Sequence, residues 1–594
     1  MAAEGDRLNA SGVAPQGAGE PECNIRARAR LAIAILCGFF LLLALRLVHL
    51  QVIRHGRLSE IAAQQQLIRR ELSARRGNIY DRDGSILATS LRRWSVYADP
   101  GAVTDARATA GKLAQALHLK YQDVLADLSR QGRFAWIKRQ ASDVDADKVR
   151  RLRLAGVYLR TENNRSYPLC RAACQVVGFT DVDGRGLSGI ELELDRILRA
   201  IPGREEVACD AARRPVRRAG DEPSQEPVDG YDVYLTIDSY VQSVAHQELT
   251  KAVEKHRPEC AWAVVMDVRT GAILAMVSWP DFDPNGASHG SAQAQKIRPI
   301  TDAYEFGSVM KPLTAAAALE EGLVTPDTKV DCHSGEWHIG KRVLHDVHPY
   351  GILTVSDIIA KSSNIGIAQV GLMVGVEKLH KRLSDFGLGA PTRIMLPGEI
   401  GGIMRPLPCW NQHSVISVSF GQELAATPLT VTCAFGTLAN GGVLMRPRVI
   451  QKVVRSGNGD LVWEAGEPKP VRRVVSEKTA SDVLAMMRRV VVEGTGKRAD
   501  LKEYAVAGKT GTAGLTAPNR KGYVPGLYLS SFLGIAPVEN PRIVVLVSLK
   551  APSKNGYYGG TAAAPPCGEI IKRTLAYLKV PPSAPTQVAT RSQQ

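Results

Sequence analysis

Ser308 and Lys311 stand three residues apart in Ser308-Val309-Met310-Lys311, the spacing that brings a hydroxyl and an amine to one face of a helix. Such a pair can do nucleophilic chemistry: a neutral lysine takes the serine proton as the oxygen attacks a carbonyl. The apolar pattern predicts a helix over 308–321, stopped by Gly322. Its N-terminus would supply free N–H groups and a positive field for an alkoxide and an oxyanion. A neutral Lys311 must be desolvated or held near other cations. SxxK alone is common by chance, yet no other lysine in the chain has a serine three positions before it.

Two further groups follow in order. Ser362-Ser363-Asn364, set in Ile359-Ala360-Lys361 and Ile365-Gly366, reads by itself as a polar turn or helix cap. Lys509-Thr510-Gly511-Thr512 follows the small-residue run 505–508 and precedes Ala513. A strand of that kind lets a substrate backbone lie alongside it, with Lys509 as a fixed positive charge. A phosphate loop at Gly494-Thr495-Gly496-Lys497 is excluded, because Val491 and Arg498 break the pattern.

The elements that must position these residues lie in 230–580. Apolar runs at 263–268 and 272–277, joined by Arg269-Thr270-Gly271, predict a β-hairpin. A second hairpin pairs 527–535 with 543–549. Helices between them include 478–493, stopped by Gly494. Strands at both ends with helices between predict an α+β domain, an antiparallel sheet carrying helices on its faces. Irregular α/β patterning fills 54–229, and the termini before about Asn24 and over 581–594 have the composition of disordered tails.

Residues 31–53 are apolar apart from Arg46, His49 and Gln51, long enough for one transmembrane helix. The run is too long for a signal-peptide core and lacks a small-residue cleavage site, so an uncleaved anchor is expected. Arg26, Arg28 and Arg30 before the span and Arg54 and Arg57 after it lean toward a cytoplasmic N-terminus. With 75 Lys+Arg against 59 Asp+Glu, the +16 net charge favours anionic surfaces, but no nucleic-acid motif accompanies it. The ten cysteines show no zinc spacing, and Cys170 and Cys174 have no geometry to make them a disulfide from spacing alone.

The order SxxK, SxN, KTG belongs to penicillin-binding proteins and related β-lactamases. The chain resembles the class B penicillin-binding proteins, most closely the division-specific, FtsI-like branch. The likeness extends to Arg76-Gly77-Asn78-Ile79-Tyr80-Asp81-Arg82-Asp83-Gly84, Gly178-Phe179-Thr180-Asp181-Val182-Asp183-Gly184, Thr236-Ile237-Asp238, and Ser419-Phe420-Gly421-Gln422-Glu423 leading to Thr427-Pro428. One departure is Phe306, where the family has proline in Glu305-Phe306-Gly307-Ser308.

The resemblance implies a cytoplasmic tail (1–30), an anchor (31–53), an elongated α/β pedestal or dimerisation-like domain (54–229), a serine β-lactamase-like transpeptidase domain (230–580) and a tail (581–594). It implies that Ser308 attacks the penultimate carbonyl of a D-Ala-D-Ala stem peptide, with Lys311 as base. Ser362 would relay a proton to the leaving D-Ala, and Asn364 would orient Lys311 and the peptide. Backbone N–H groups of Ser308 and Thr512 would form the oxyanion hole, while Lys509 and Thr510, on the strand with Gly511, hold the terminal carboxylate. The acyl group then passes to an amine on a neighbouring strand, with no metal and no organic cofactor.

β-Lactams are the implied inhibitors. The implied partners are a multi-spanning glycosyltransferase and other division proteins, at the inner membrane with the catalytic domain periplasmic. Arg46, His49 and Gln51 could serve the partner contact. The alternatives are an elongation-specific transpeptidase, a hydrolysing β-lactamase or carboxypeptidase, and a nonenzymatic β-lactam sensor. A sensor would need an effector domain, for which the roughly thirty residues before the anchor are too few.

Overall fold

The computed structural model describes residues 22–59, 67–208, 225–286, 290–340, 342–516 and 522–583. The disordered tails expected from composition fall largely on 1–21 and 584–594, outside the described residues. Contacts divide the chain into two compact units, Met1–Leu72 with Gly203–Glu226, and Ser73–Pro202 with Pro227–Gln594.

In the first unit an α-helix, Glu22–Val48, runs on into one π-helical segment, His49–Ile53. Arg26–Ile53 is long and apolar enough to cross a membrane, and its side chains are not covered by protein. Leucines and isoleucines exposed all round a helix are stable only in an apolar surrounding, which is how such a helix differs from an amphipathic one. Strands Leu67–Leu72 and Gly203–Ala208 pair antiparallel in the same unit.

The second unit contains the chemistry. Its main elements, in chain order, are α1 (Ser239–His256), β1 (Cys260–Asp267), β2 (Ile273–Trp279), α2 (Lys311–Glu320), α3 (Val355–Lys361), α4 (Asn364–Val374), α5 (Pro428–Ala439), β3 (Ala507–Thr516), β4 (Tyr523–Ala536), β5 (Ile543–Lys550) and α6 (Ala564–Tyr577). The five strands form an antiparallel sheet in the order β3-β4-β5-β1-β2, so both predicted hairpins, β1–β2 and β4–β5, are present. β1 and β5 are buried along almost their whole length. They are covered on both faces: α1 and α6 pack on one, and α2 and α5 belong to the core on the other. That double burial explains why these strands read as unbroken apolar runs rather than alternating ones.

A second sheet joins the two halves of the sequence. Ile79–Tyr80 pairs parallel with Val233–Tyr234, and the ladder continues through Ile450–Val454 to Leu461–Glu464 on one side and Ile86–Ala98 on the other. The boundary expected at 229/230 therefore lies within one compact unit. Beside this ladder Arg76, buried, pairs with Glu191 at 2.6 Å and Asp195 at 2.7 Å, and Arg165 pairs with Glu191 at 2.7 Å. Removing one member would strand a buried charge, a cost of about 3–5 kcal/mol. Arg76 of the Arg76-Gly77-Asn78 segment is thus a structural residue.

Candidate active site

Ser308 does not open an α-helix. Gly307–Met310 is a 3-10 turn, and the α-helix begins at Lys311. Pro312 supplies the reason. An α-helix starting at Ser308 would need an N–H at residue 312 to reach the Ser308 carbonyl, and proline has none. The Lys311 N–H bonds the Ser308 carbonyl instead, in the tighter pattern.

Glycines on two sides hold this turn. Gly307 donates to the Gly421 carbonyl at 3.2 Å, and a Cβ on Gly421 would lie 2.2 Å from the Gly307 oxygen. On the other side, a Cβ on Gly511 of β3 would lie 2.6 Å from both the Phe306 oxygen and the Val309 side chain. Phe306 sits at φ −89°, outside the narrow range a proline ring fixes, and its ring is buried in the core. Ser308 itself is half-buried, and its hydroxyl makes no hydrogen bond to a described residue.

Ser362 and Ser363 stand between two helices. Ser362 caps the C-terminus of α3 in the left-handed region, φ +64°, and Ser363 caps the N-terminus of α4 by accepting from the Gly366 N–H at 2.9 Å. A left-handed serine costs about 1–2 kcal/mol. Strain of this kind persists where the surroundings over-determine it, which is common at reactive sites. Here the turn faces the Ser362 hydroxyl toward two amines, accepting from Lys311 at 3.2 Å and from Lys509 at 2.9 Å.

Lys311 also donates to the Ser362 carbonyl at 2.5 Å and to Asn364 Oδ1 at 2.8 Å. Asn364 is oriented in turn by donating to the His345 carbonyl at 3.0 Å. Lys509 donates to the Thr510 carbonyl at 3.1 Å. Lys509, Thr510, Gly511 and Thr512 all lie on β3, the edge strand of the sheet, so the strand's free side is open to an extended peptide. Thr510 bonds Thr495 at 2.6 Å, and Thr512 Oγ1 accepts from the Gly559 N–H at 3.1 Å.

Both lysines are fully buried. Desolvation pushes Lys311 down to about 7, against the opposing pull of Asp346 and Cys332. At neutral pH the amine is therefore available in both forms, as a general base requires. Burial, and then the Lys311 charge, hold Lys509 well below the ordinary lysine range. Lys509 is thus not simply the fixed charge that its sequence suggests; a carboxylate arriving beside it would favour its cation.

Asp346 is the functional neighbour that sequence reasoning missed. Its carboxylate accepts from Ser363 Oγ at 2.5 Å, from the Ile365 N–H at 3.1 Å and from the Asn364 N–H. An anion there satisfies the open end of α4 and fixes both Ser363 and Asn364. No local motif marks it, since it lies 18 residues from Asn364 in the chain. Among the described residues no His, Cys, Asp and Glu side chains are grouped to hold a metal, and Cys170 and Cys174 are free thiols.

The chain is similar to known proteins along most of its length. Residues 261–573 match the penicillin binding protein transpeptidase domain, and residues 71–235 match the penicillin-binding protein dimerisation domain. The peptidoglycan D,D-transpeptidase FtsI of Escherichia coli K12 is 33% identical over 565 residues, covering 93% of each chain. The probable peptidoglycan D,D-transpeptidase PenA of Neisseria meningitidis is 32% identical, covering 94% of each chain. Among solved structures, penicillin binding protein 3 of Mycobacterium tuberculosis in complex with ampicillin superposes with a TM-score of 0.68 at 28% identity, covering 87% of this chain and 98% of that one.

Proposed function

This chain belongs to the class B penicillin-binding proteins, in the FtsI-type branch, and we propose that it builds the septal wall with Ser308 as nucleophile. It is a peptidoglycan D,D-transpeptidase. The observation that carries the residue assignment is the buried Lys311 amine, held by Asn364 and Ser362 beside the serine turn.

In the reaction Lys311, as the neutral amine, takes the Ser308 proton while Oγ attacks the penultimate carbonyl of the donor stem peptide. Backbone N–H groups of Ser308 and Thr512 hold the oxyanion, each such donor worth about 3–4 kcal/mol in the transition state. As the tetrahedral centre collapses, the C–N bond breaks and the D-Ala nitrogen receives a proton through Ser362, which bridges Lys311 and Lys509. Lys509 and Thr510 keep the terminal carboxylate until it leaves. An acceptor amine then attacks the acyl-enzyme, gives up its proton through the same hydroxyl and lysine, and releases Ser308.

The apolar helix Arg26–Ile53 supports a single-pass anchor, with the catalytic unit on the periplasmic side of the inner membrane. The dimerisation and transpeptidase matches contain no polymerase, so the chain cross-links strands that a multi-spanning glycosyltransferase partner makes, within the division machinery. Purified protein given lipid-linked precursor should form no glycan alone and should cross-link once a polymerase is added. Glycan synthesis unaided would overturn this reading, as would cross-linking that persists in Ser308→Ala.

A further inference from the structure

The proposed mechanism, on which this inference rests, draws its two oxyanion donors from different elements, the Ser308 N–H from the 3-10 turn and the Thr512 N–H from β3. Such a hole exists only while the turn and the strand keep a fixed separation, because an oxyanion donor works within a few tenths of an ångström of its place. Among the described residues no backbone hydrogen bond runs between residues 306–310 and β3. Gly511 and Ala513 touch the turn closely, which limits approach, but contact alone resists separation weakly.

Two indirect ties bracket Thr512. On one side Ser362 accepts from Lys311 and from Lys509, which lies three residues before Thr512 on the strand. On the other side stands Glu305, three residues before the nucleophile and unused by the acylation chemistry. Its carboxylate accepts from the Tyr523 hydroxyl at 2.7 Å and from the Glu423 N–H at 2.8 Å.

Tyr523 belongs to β4, opposite Thr516 of β3, and its ring lies against Gly514, where a Cβ would come within 3.0 Å of it. Gly514 is two positions beyond Thr512, so the ring bears on the strand just past the donor. Burial and then Glu305 push the phenol upward, and it keeps the proton that it donates. Behind Glu305 the chain is fastened to residues 421–426: Tyr304 and Ala426 exchange backbone bonds at 3.0 and 2.9 Å, and Gly307 donates to Gly421. Glu423 is itself paired with Arg405. The carboxylate therefore reaches Tyr523 from a fixed base.

We infer that Glu305 is a positioning residue for the oxyanion hole: through Tyr523 it holds the far end of β3 to the nucleophile turn, so that the Ser308 and Thr512 N–H groups converge on one oxygen. With the Ser362 tie alone, β3 is secured on one side of Thr512 and free to swing on the other. The same two donors serve the tetrahedral centre of acylation and that of acyl release, so loss of the tie slows both steps alike. Capture of the ligand carboxylate at Lys509 and Thr510 lies beyond the other tie and is unaffected.

The test separates binding from chemistry in Tyr523→Phe, which keeps the ring on Gly514 and deletes the hydroxyl. Full-length protein in detergent is mixed with a labelled penicillin in stopped flow, and release of the label from Ser308 is then followed after a chase. The first-order acylation constant should fall about tenfold, a fraction of the 10²–10³ that outright loss of an oxyanion donor costs, and the release constant should fall by the same factor. The dissociation constant of the penicillin should stay unchanged. Glu305→Gln, which keeps an acceptor without the charge, should lose less, and the double variant should be no slower than Tyr523→Phe because both act through one bond. One-to-one titration of Ser308 shows that each variant folds. Wild-type acylation in Tyr523→Phe, a loss confined to the dissociation constant, a loss in acylation that spares release, or losses that multiply in the double variant would each overturn the positioning role. Wild-type protein that penicillin fails to acylate at Ser308 instead overturns the transpeptidase reading itself.

Discussion

The Lys311 amine and Asn364 Oδ1 lie 2.8 Å apart, joining the first residue of α2 to the first residue of α4. One hydrogen bond thus ties the element bearing the base to the helix that follows the Ser362 turn. The base cannot be repositioned without disturbing the cap of α4, and the site behaves as a unit.

Labelled penicillin should modify one residue. Intact mass and peptide mapping should place a single adduct on Ser308, and Ser308→Ala should show none. Label on another serine would remove the nucleophile assignment.

The two lysines should fail differently. Lys311→Ala should slow the first-order acylation step by about 10²–10⁴, the usual worth of a general base. Lys509→Ala should act more through weaker capture of the carboxylate. Stopped-flow acylation at varied penicillin concentration separates the two constants, and equal loss of the chemical step in both variants would end this division of roles.

Acylation should accelerate as pH rises through about 7, where Lys311 loses its proton. Stability should move the same way. An unfolded lysine titrates near 10.4, so between about 7 and 10 the unfolded chain binds more protons than the folded one, and folding gains as pH rises. The penalty is full below about 7 and gone above the unfolded value. Lys311→Met should therefore stabilise the catalytic unit at pH 7, by up to a few kcal/mol, and much less near pH 10. Denaturant unfolding at both pH values checks this; no gain at pH 7 would mean that the lysine is not held against its charge.

Asp346→Asn should lower the unfolding midpoint and slow acylation together. The amide keeps one acceptor for α4 but loses the charge, about 1–2 kcal/mol at a partly buried helix end. If stability falls while acylation is untouched, Asp346 supports the fold without positioning Asn364.

The types of the reacting groups were legible in the chain, because three-residue spacing and a small-residue strand are local patterns. Ser308 with Lys311, Ser362 with Asn364, and Lys509 to Thr512 could each be read without coordinates, as could the two hairpins and the apolar anchor. The shape of the serine turn was nearly legible too: Pro312 is in plain view, and its missing N–H is what converts the expected helix start into a 3-10 turn. What only the tertiary structure decided is the chemistry of the lysines and the clamps around them. Burial sets Lys311 near 7 and pushes Lys509 down, and burial is a property of everything packed round a side chain rather than of its neighbours in sequence. Asp346, Gly421 and Gly511 reach the site from distant segments through contacts that the chain records only once it has folded, for which no spacing rule exists.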